Sequence, residues 1–204
     1  MTVFVPNRQA ITGIILSGGK SLRMGKDKAF IKVEGIPIIE RIIDLFQRLF
    51  EETIIVTNQR ENYLHLKATL YEDLLPNSGA LGGLYTGLFY SLFPYSFIVA
   101  CDMPYLNAEV IHYLTGKMEG YDVVVPKTED GLQPLHAIYS KECITPLQRV
   151  LRERKTRIID IYPYVRVRIV EAREIVPVDP DMESFININT PEELIRFKKR
   201  NTSA

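Results

Sequence analysis

The sequence reads Ile11-Thr-Gly-Ile-Ile-Leu-Ser-Gly-Gly-Lys-Ser-Leu-Arg-Met-Gly-Lys-Asp-Lys28 where an apolar, β-branched run breaks into a glycine-rich loop. Glycine lets backbone N–H groups approach a ligand that a side chain would keep away. A concave set of such donors surrounded by cations suits a polyphosphate. The glycines and cations of the loop are Gly18, Gly19, Gly25, Lys20, Arg23, Lys26 and Lys28. We therefore predict a phosphate-binding loop, with a plain glycine-rich turn and solvated lysines as the alternative.

The two common phosphate motifs do not fit this loop. A P-loop requires Gly-x-x-x-x-Gly-Lys-Ser/Thr. Gly13 and Gly18 have the required spacing, but Gly19 occupies the lysine position. The chain also lacks the Gly-x-Gly-x-x-Gly fingerprint of dinucleotide-binding domains, which argues against a nicotinamide-dependent dehydrogenase.

The same loop resembles a different signature. The run Leu16-Ser-Gly-Gly-x-Ser-x-Arg-Met-Gly-x-Asp-Lys-Ala29 is similar to that of the nucleotidyltransferases, which activate sugars, alcohols and cofactors with a nucleoside triphosphate. Its ending resembles the molybdenum cofactor guanylyltransferases, which join GMP to molybdopterin. Members of that family usually have Ala where this chain has Ser17, a small change that leaves the backbone donors in place. The resemblance implies a Rossmann-like nucleotidyltransferase fold.

Length and composition indicate one domain. The 204 residues are 46% hydrophobic, enough for a single substantial core over 1–204, with 1–10 expected to be a loose extension. Lys+Arg and Asp+Glu each number 25, so we expect no bulk attraction to nucleic acid or to an anionic membrane. Cys101 and Cys143 have no metal-ligand spacing, and we find neither a signal sequence nor a run of about 18 apolar residues. We expect a cytoplasmic protein.

Strand-like and helix-like segments alternate along most of the chain. Strands are predicted over 11–16, 53–57, 68–72, 96–100, 121–125, 135–139 and 185–188. Helices are predicted over 37–50, with Pro37 at its start, over 79–92, near Asn107 and over 141–161. This order predicts an α/β fold: a single-domain three-layer sandwich with a mostly parallel sheet and helices on both faces.

Polar or flexible groups follow four of the predicted strands. They are the loop after Leu16, then Asn58, Asp73 and Asp102. Parallel strands would bring all four to one edge of the sheet, where open α/β folds bind their ligands. The alternative is four unrelated turns, because Asn and Asp are common turn residues.

Asp102 follows the apolar run Phe97-Ile-Val-Ala-Cys101 and precedes Met103-Pro104. A carboxylate at that point suits Mg²⁺, which takes hard oxygen ligands and often only one or two carboxylates together with phosphates. The run from 100 to 106 closely resembles the metal-binding Asp motif of the family. The alternative is an Asp that caps the turn before the helix near Asn107.

The resemblance assigns the remaining nucleotide contacts. Asp73 matches an Asp that contacts the nucleotide, and the glycines that follow it, Gly82 among them, would open a helix against the base or ribose. Asn58 matches an asparagine at a strand end, and its amide can both donate and accept. The predicted nucleotide-binding residues are Leu16, Ser17, Gly18, Gly19, Ser21, Lys28, Asn58, Asp73, Gly82 and Asp102.

Three residues are candidates for binding the acceptor. Asn187 and Asn189 would project to one face of a strand at period two, and the family carries the same Asn-x-Asn-Thr-Pro-Glu-Glu run. Thr190 as an N-cap explains the start of a helix there without any function. His136 lies in a run that matches the family, although a semi-buried core histidine is an equal reading. His65 and His112 have no such context.

A basic segment spans 141–161. Its cations are Arg149, Arg152, Arg154, Lys155 and Arg157. A solvated helix face is the ordinary reading. The alternative is an anion-attracting rim for a phosphorylated acceptor or for another molybdenum cofactor protein.

The resemblance implies the transfer of GMP from GTP to the terminal phosphate of molybdopterin, with release of pyrophosphate. Arg23 and Lys28 would offset phosphate charge, and Mg²⁺ on Asp102 would bridge phosphate oxygens. Such transfer depends on positioning and charge neutralisation. The alternatives are a related transferase that uses CTP or a sugar or alcohol phosphate, and a GTP-binding partner without catalysis.

Overall fold

The computed structural model describes residues 9–18, 27–190, 192–193 and 195. Its strands are β1 (Gln9–Ser17), β2 (Lys32–Val33), β3 (Ile36–Pro37), β4 (Phe50–Thr57), β5 (Thr69–Tyr71), β6 (Tyr95–Ala100), β7 (Val123–Thr128), β8 (Gly131–Leu132), β9 (His136–Ser140) and β10 (Val167–Glu171). Its helices are α1 (Ile38–Leu49), α2 (Arg60–Tyr63), α3 (Gly79–Tyr90), α4 (Ala108–Thr115), α5 (Ile144–Arg152) and α6 (Ala172–Ile175). Most predicted elements are present, with ends shifted by a few residues.

One sheet organises the described residues. Its strand order is β10-β7-β9-β6-β1-β4-β5, and β8 pairs with β7. The pairs of β1 with β4 and with β6 are parallel, as are β4 with β5 and β7 with β10. Only β8 and β9 run the other way among the described strands of this sheet. The predicted mostly parallel sheet is therefore confirmed.

Helices cover both faces of the sheet, as predicted. Odd-numbered β1 residues such as Ile11 and Ile15 belong to a buried cluster with α1 and α4. Ile14 and Leu16 belong to a second cluster with α3 and α5 on the other face. A strand buried on both faces is apolar throughout, which is why the start of the quoted stretch reads as a continuous hydrophobic run. Within the described part of the chain, no helix is long and apolar enough to cross a membrane.

Two predicted elements are wrong. Residues 185–188 do not form a strand: a 3₁₀ turn spans Glu183–Phe185, and the Ile188 amide donates to the Asp102 carbonyl at 2.8 Å instead of to a sheet. The segment 141–161 is not one helix. It divides into a 3₁₀ turn, α5 and a second 3₁₀ stretch, because Arg154 has a φ of 56°, a left-handed conformation through which a helix cannot continue.

Gly13 should be intolerant of even one methyl group. A Cβ at this position would lie 2.4 Å from Phe46 Cδ2 and 2.7 Å from Phe50 Cδ2, and both rings are buried. We expect Gly13→Ala to lower the free energy of unfolding by about 1–3 kcal/mol through overpacking, measured by urea denaturation. Gly116→Ala is the control, since Gly116 has a helical φ of −67° and the atom nearest to a Cβ there would be 3.4 Å away. Equal stability of the two variants would contradict this account.

Candidate active site

The four polar strand ends do meet at one edge of the sheet. Leu16 is in register with Val56 of β4 and with Ala100 of β6, and Val56 is in register with Tyr71 of β5. Because all these strands are parallel, Gly18, Asn58, Asp73 and Asp102 leave the sheet on the same side. The predicted convergence is confirmed, and the alternative of unrelated turns does not hold for this edge.

Asp102 is a half-buried carboxylate at the centre of this edge. Its Oδ1 is buried and has no hydrogen-bond partner among the described residues. Burial raises the pKa of Asp102, and the ammonium of Lys28 opposes that shift by favouring the carboxylate. The capping alternative is wrong, because Asn107 caps α4 through a 2.8 Å bond from the Glu109 amide to its Oδ1. Asp102 is therefore left with an oxygen available for a cation.

Lys28 lies at the C-terminal end of the glycine-rich sequence and also reaches this edge. It begins a 3₁₀ turn, Lys28–Phe30, that Asp27 caps through a 3.1 Å bond from the Ala29 amide. The Lys28 Nζ donates to Asn189 Oδ1 at 2.6 Å. The cation and the predicted acceptor residue thus lie together, 161 positions apart in the chain.

Glu193 orients Asn189, a role that the sequence pattern did not indicate. Its Oε2 accepts from the Asn189 backbone at 2.7 Å and from Asn189 Nδ2 at 3.2 Å. The Asn189 amide is therefore turned with its oxygen toward Lys28. The bonds from Asn189 lower the pKa of Glu193, the backbone bond most. The Glu193 amide donates to Thr190 Oγ1 at 3.1 Å, which confirms Thr190 as a cap.

Asn187 and Asn189 are both exposed, and buried Ile188 lies between them. A strand was predicted to turn both side chains outward, but the structure has no strand at 185–188. Their shared outward direction comes from the bond of the Ile188 amide to the Asp102 carbonyl, which holds this segment against the end of β6. The segment that carries the two amides consequently lies against Asp102.

The Ser17 side chain does not face the edge. It is 4% exposed, and its Oγ is hydrogen-bonded to the hydroxyl of buried Tyr63. A contact between Ser17 and a nucleotide would have to come from the backbone. Sequence reasoning missed Tyr63, which carried no motif signal.

Asn58 and Asp73 are linked to each other. Asn58 Oδ1 accepts from the Asp73 amide at 3.2 Å. Asp73 Oδ1 accepts from the Leu75 amide at 3.0 Å and from Thr86 Oγ1 at 2.9 Å, which ties this loop to α3. A Cβ on Gly82 would lie 2.8 Å from the Leu75 carbonyl oxygen. Gly82 is buried and is explained by this close packing of the loop, while Asn58 remains exposed.

His136 lies in the core, which corrects its assignment to the acceptor. It has no exposed surface, and its ring centroid lies 4.6 Å from that of Phe185 and 5.2 Å from that of Phe97. Burial lowers the pKa of His136 to about 3, so the ring is neutral at physiological pH. The reading as a core histidine is the one that the structure supports.

Three predicted site residues, Gly19, Ser21 and Arg23, lie outside the described residues. The basic segment is described, and three of its cations form ion pairs with nearby acids. Arg149 and Lys155 contact Glu153 at 3.3 and 2.7 Å, and Arg157 contacts Asp160 at 3.0 Å. These pairs are largely solvent-exposed, which agrees with a solvated surface.

Known proteins resemble this chain over most of its length. A family model described as the MobA-like NTP transferase domain matches residues 13–165. The molybdenum cofactor guanylyltransferase of Desulfosudis oleivorans is 41% identical over 187 residues, covering 91% of this chain and 93% of that protein. A probable molybdenum cofactor guanylyltransferase of Pelotomaculum thermopropionicum is 39% identical over 187 residues, covering 92% and 91%.

A solved structure shares the fold. Molybdopterin-guanine dinucleotide biosynthesis protein A from Archaeoglobus fulgidus superposes with a TM-score of 0.80 at 24% identity, covering 95% of this chain and 100% of that one. At this identity the likeness concerns the arrangement of strands and helices. It agrees with the α/β architecture described above.

The buried His136 should make stability depend on pH. Its folded pKa of about 3 is below the ordinary 6.5, so the unfolded chain takes up a proton first as the pH falls. The stabilisation is complete above pH 6.5 and is lost toward pH 3, on the order of 5 kcal/mol. Urea denaturation across this range should show a smaller loss for His136→Gln than for the exposed control His112→Gln. Parallel pH profiles for the two variants would refute the assignment.

Proposed function

The chain belongs to the family of MobA-like NTP transferase domains, and we propose that it transfers GMP from GTP to the terminal phosphate of molybdopterin. The products are the guanine dinucleotide cofactor and pyrophosphate. The observation that carries the proposal is the meeting of Lys28 and Asp102 at the carboxyl edge of the sheet, where Lys28 bonds to Asn189 and the neighbouring Ile188 amide bonds to the Asp102 carbonyl. The names of the relatives at 39% and 41% identity supply the substrates.

The reaction exchanges one phosphoanhydride bond for another. An oxygen of the molybdopterin phosphate forms a bond to the α-phosphorus of GTP, and the bond from that phosphorus to the β-phosphate oxygen breaks. Negative charge develops on the leaving pyrophosphate and on the oxygens of the α-phosphate. Lys28 stabilises this charge through its ammonium, which donates a hydrogen bond to the Asn189 oxygen at 2.6 Å. Arg23 is proposed to assist in the same way.

Asp102 fits the role of a Mg²⁺ ligand. Its Oδ1 is buried without a partner among the described residues, and a carboxylate oxygen is the ligand type that this ion prefers. The described residues contain no group of three or more His, Cys, Asp or Glu that could hold a metal. Mg²⁺ often takes only one or two protein carboxylates together with substrate phosphates. When bound, Mg²⁺ would supply charge neutralisation at the phosphates.

No covalent intermediate with the protein is needed. Burial raises the pKa of both cysteines, Cys101 and Cys143, to about 12. A thiol of that pKa holds almost no thiolate at neutral pH, and the thiolate is the reactive form. Direct transfer between the two substrates agrees with this chemistry, since phosphoryl transfer depends mainly on positioning and electrostatics.

The two substrates are proposed to meet at the edge between β1 and β6. GTP would lie over the glycine-rich sequence, and Asn187 and Asn189 would contact molybdopterin. The proposed nucleotide contacts are Leu16, Ser17, Gly18, Gly19, Ser21, Lys28, Asn58, Asp73, Gly82 and Asp102. We further propose a cytoplasmic enzyme with transient contacts to other molybdenum cofactor proteins, and the balanced charge of 25 cations and 25 anions predicts no bulk attraction to nucleic acid or to an anionic membrane.

Asp102 should be required for nucleotide transfer. We expect wild-type protein with molybdopterin, Mg²⁺ and GTP to release pyrophosphate, and Asp102→Asn to release little, because it loses the negative charge that would hold Mg²⁺. Pyrophosphate release in parallel reactions with GTP and CTP is the measurement. Asp130→Asn, on the exposed turn between β7 and β8, is the control and should match wild type. Release with CTP alone would move the base specificity, and no release with either nucleotide would overturn the proposal.

Lys28 should contribute to the transition state rather than to folding. We expect Lys28→Ala to lower kcat/KM for GTP by an amount that corresponds to a loss of ~3–4 kcal/mol of transition-state stabilisation. This is the loss found when one donor to a developing oxyanion is removed. Lys32→Ala removes an exposed cation four positions away and should leave the rate unchanged. Normal turnover by Lys28→Ala would remove this residue from the mechanism.

A further inference from the structure

Tyr63 is a buried tyrosine whose hydroxyl lies between two segments of the site. It has no exposed surface and ends the short helix α2. Its hydroxyl is bonded to Ser17 Oγ, at the end of β1, and donates to Asp27 Oδ2 at 2.5 Å. Burial raises the pKa of Tyr63 far above its ordinary value, so the hydroxyl stays protonated and can donate to the carboxylate.

Asp27 transmits this contact to Lys28. While Oδ2 accepts from Tyr63, Oδ1 accepts from the Ala29 amide at 3.1 Å and so caps the turn that begins with Lys28. Phe30, at the end of this turn, packs on Tyr63 with the ring centroids 5.2 Å apart. The turn is therefore held to Tyr63 at both of its ends. A bond to a carboxylate is among the stronger hydrogen bonds in proteins.

The remaining hydrogen bonds at this edge connect the turn of Lys28 back to β1 and so form a closed circuit, a ring of linked segments. The Lys28 Nζ donates to Asn189, and the neighbouring Ile188 amide donates to the Asp102 carbonyl. The Cys101 amide donates to the Leu16 carbonyl at 3.1 Å, which returns the circuit to β1 beside Ser17. Tyr63 is the link that joins β1 to the turn of Lys28.

We propose that Tyr63 is a positioning residue, which holds the Lys28 ammonium beside Asp102 by bridging Ser17 and Asp27. The inference rests on the proposed function, in which that ammonium meets the transferred phosphate. Tyr63 itself touches neither substrate. Because small displacements of a catalytic group lower rates steeply, loss of the bridging hydroxyl should affect kcat more than the binding of GTP.

Tyr63→Phe tests this role while keeping the ring that packs on Phe30. We expect kcat for pyrophosphate release to fall by on the order of 10- to 100-fold, with KM for GTP changed much less. Tyr139→Phe is the matched control, since Tyr139 is equally buried and its hydroxyl donates to the Pro134 carbonyl at 2.8 Å. The control should lose stability by urea denaturation and keep the wild-type kcat. An unchanged kcat in Tyr63→Phe, or an equal loss in both variants, would overturn the proposal.

A double variant separates positioning from general damage. In protein that already carries Lys28→Ala, adding Tyr63→Phe should lower kcat no further, because the group that Tyr63 positions is gone. Equal losses from Tyr63→Phe with and without Lys28 would contradict the proposal.

An NMR arm keeps this test independent of the proposed activity. In protein with labelled lysine, Tyr63→Phe should shift the Nζ resonance of Lys28 and leave that of Lys32 in place. An unmoved Lys28 resonance overturns the positioning role even if the wild-type enzyme is active. Absent wild-type turnover with a shifted Lys28 resonance overturns the proposed function and supports the positioning.

Discussion

Parallel pairing of β1 with β4 on one side and β6 on the other is the constraint on which the site depends. The register of Leu16 with both Val56 and Ala100 makes three strands end together. Their polar continuations then have to share one edge, because parallel strands cannot send their carboxyl ends in opposite directions. Gly13 supports the pairing from within, since its missing side chain leaves room for Phe46 and Phe50 against β1.

Hydrogen bonds between distant segments then build the site on this edge. The sheet supplies Asp102, but the Asp102 carbonyl in turn holds Ile188, and Ile188 carries Asn189 to Lys28. The Asp102 carbonyl at the end of β6 accepts from the Ile188 amide, so the segment that carries Asn189 is attached to this edge. Asp27 also links two segments, since one of its carboxylate oxygens caps the turn of Lys28 and the other accepts a hydrogen bond from Tyr63.

The errors of sequence interpretation have a common physical origin. Residues 185–188 alternate like a strand, and the alternation is real, since Ile188 is buried between exposed asparagines. Burial against the end of β6 produces the same pattern as a place in a sheet, so period two alone does not distinguish them. The sequence around His136 likewise does not show whether the ring contacts a ligand or the core. Its contacts with Phe97 and Phe185 are made by residues that lie far away in the chain.

The sequence by itself determined the α/β class, most strands of the main sheet and the edge with Asp102, because these depend on hydrophobic patterns and turn residues that are local in the chain. Its resemblance to one family also indicated Lys28 and Asn189. Tertiary structure alone decided that Ser17 turns inward to Tyr63, that Glu193 orients Asn189 and that His136 belongs to the core. Ser17 and Tyr63 are 46 positions apart, and Lys28 and Asn189 are 161 apart. Partnerships over such distances arise only when the sheet has brought the segments together.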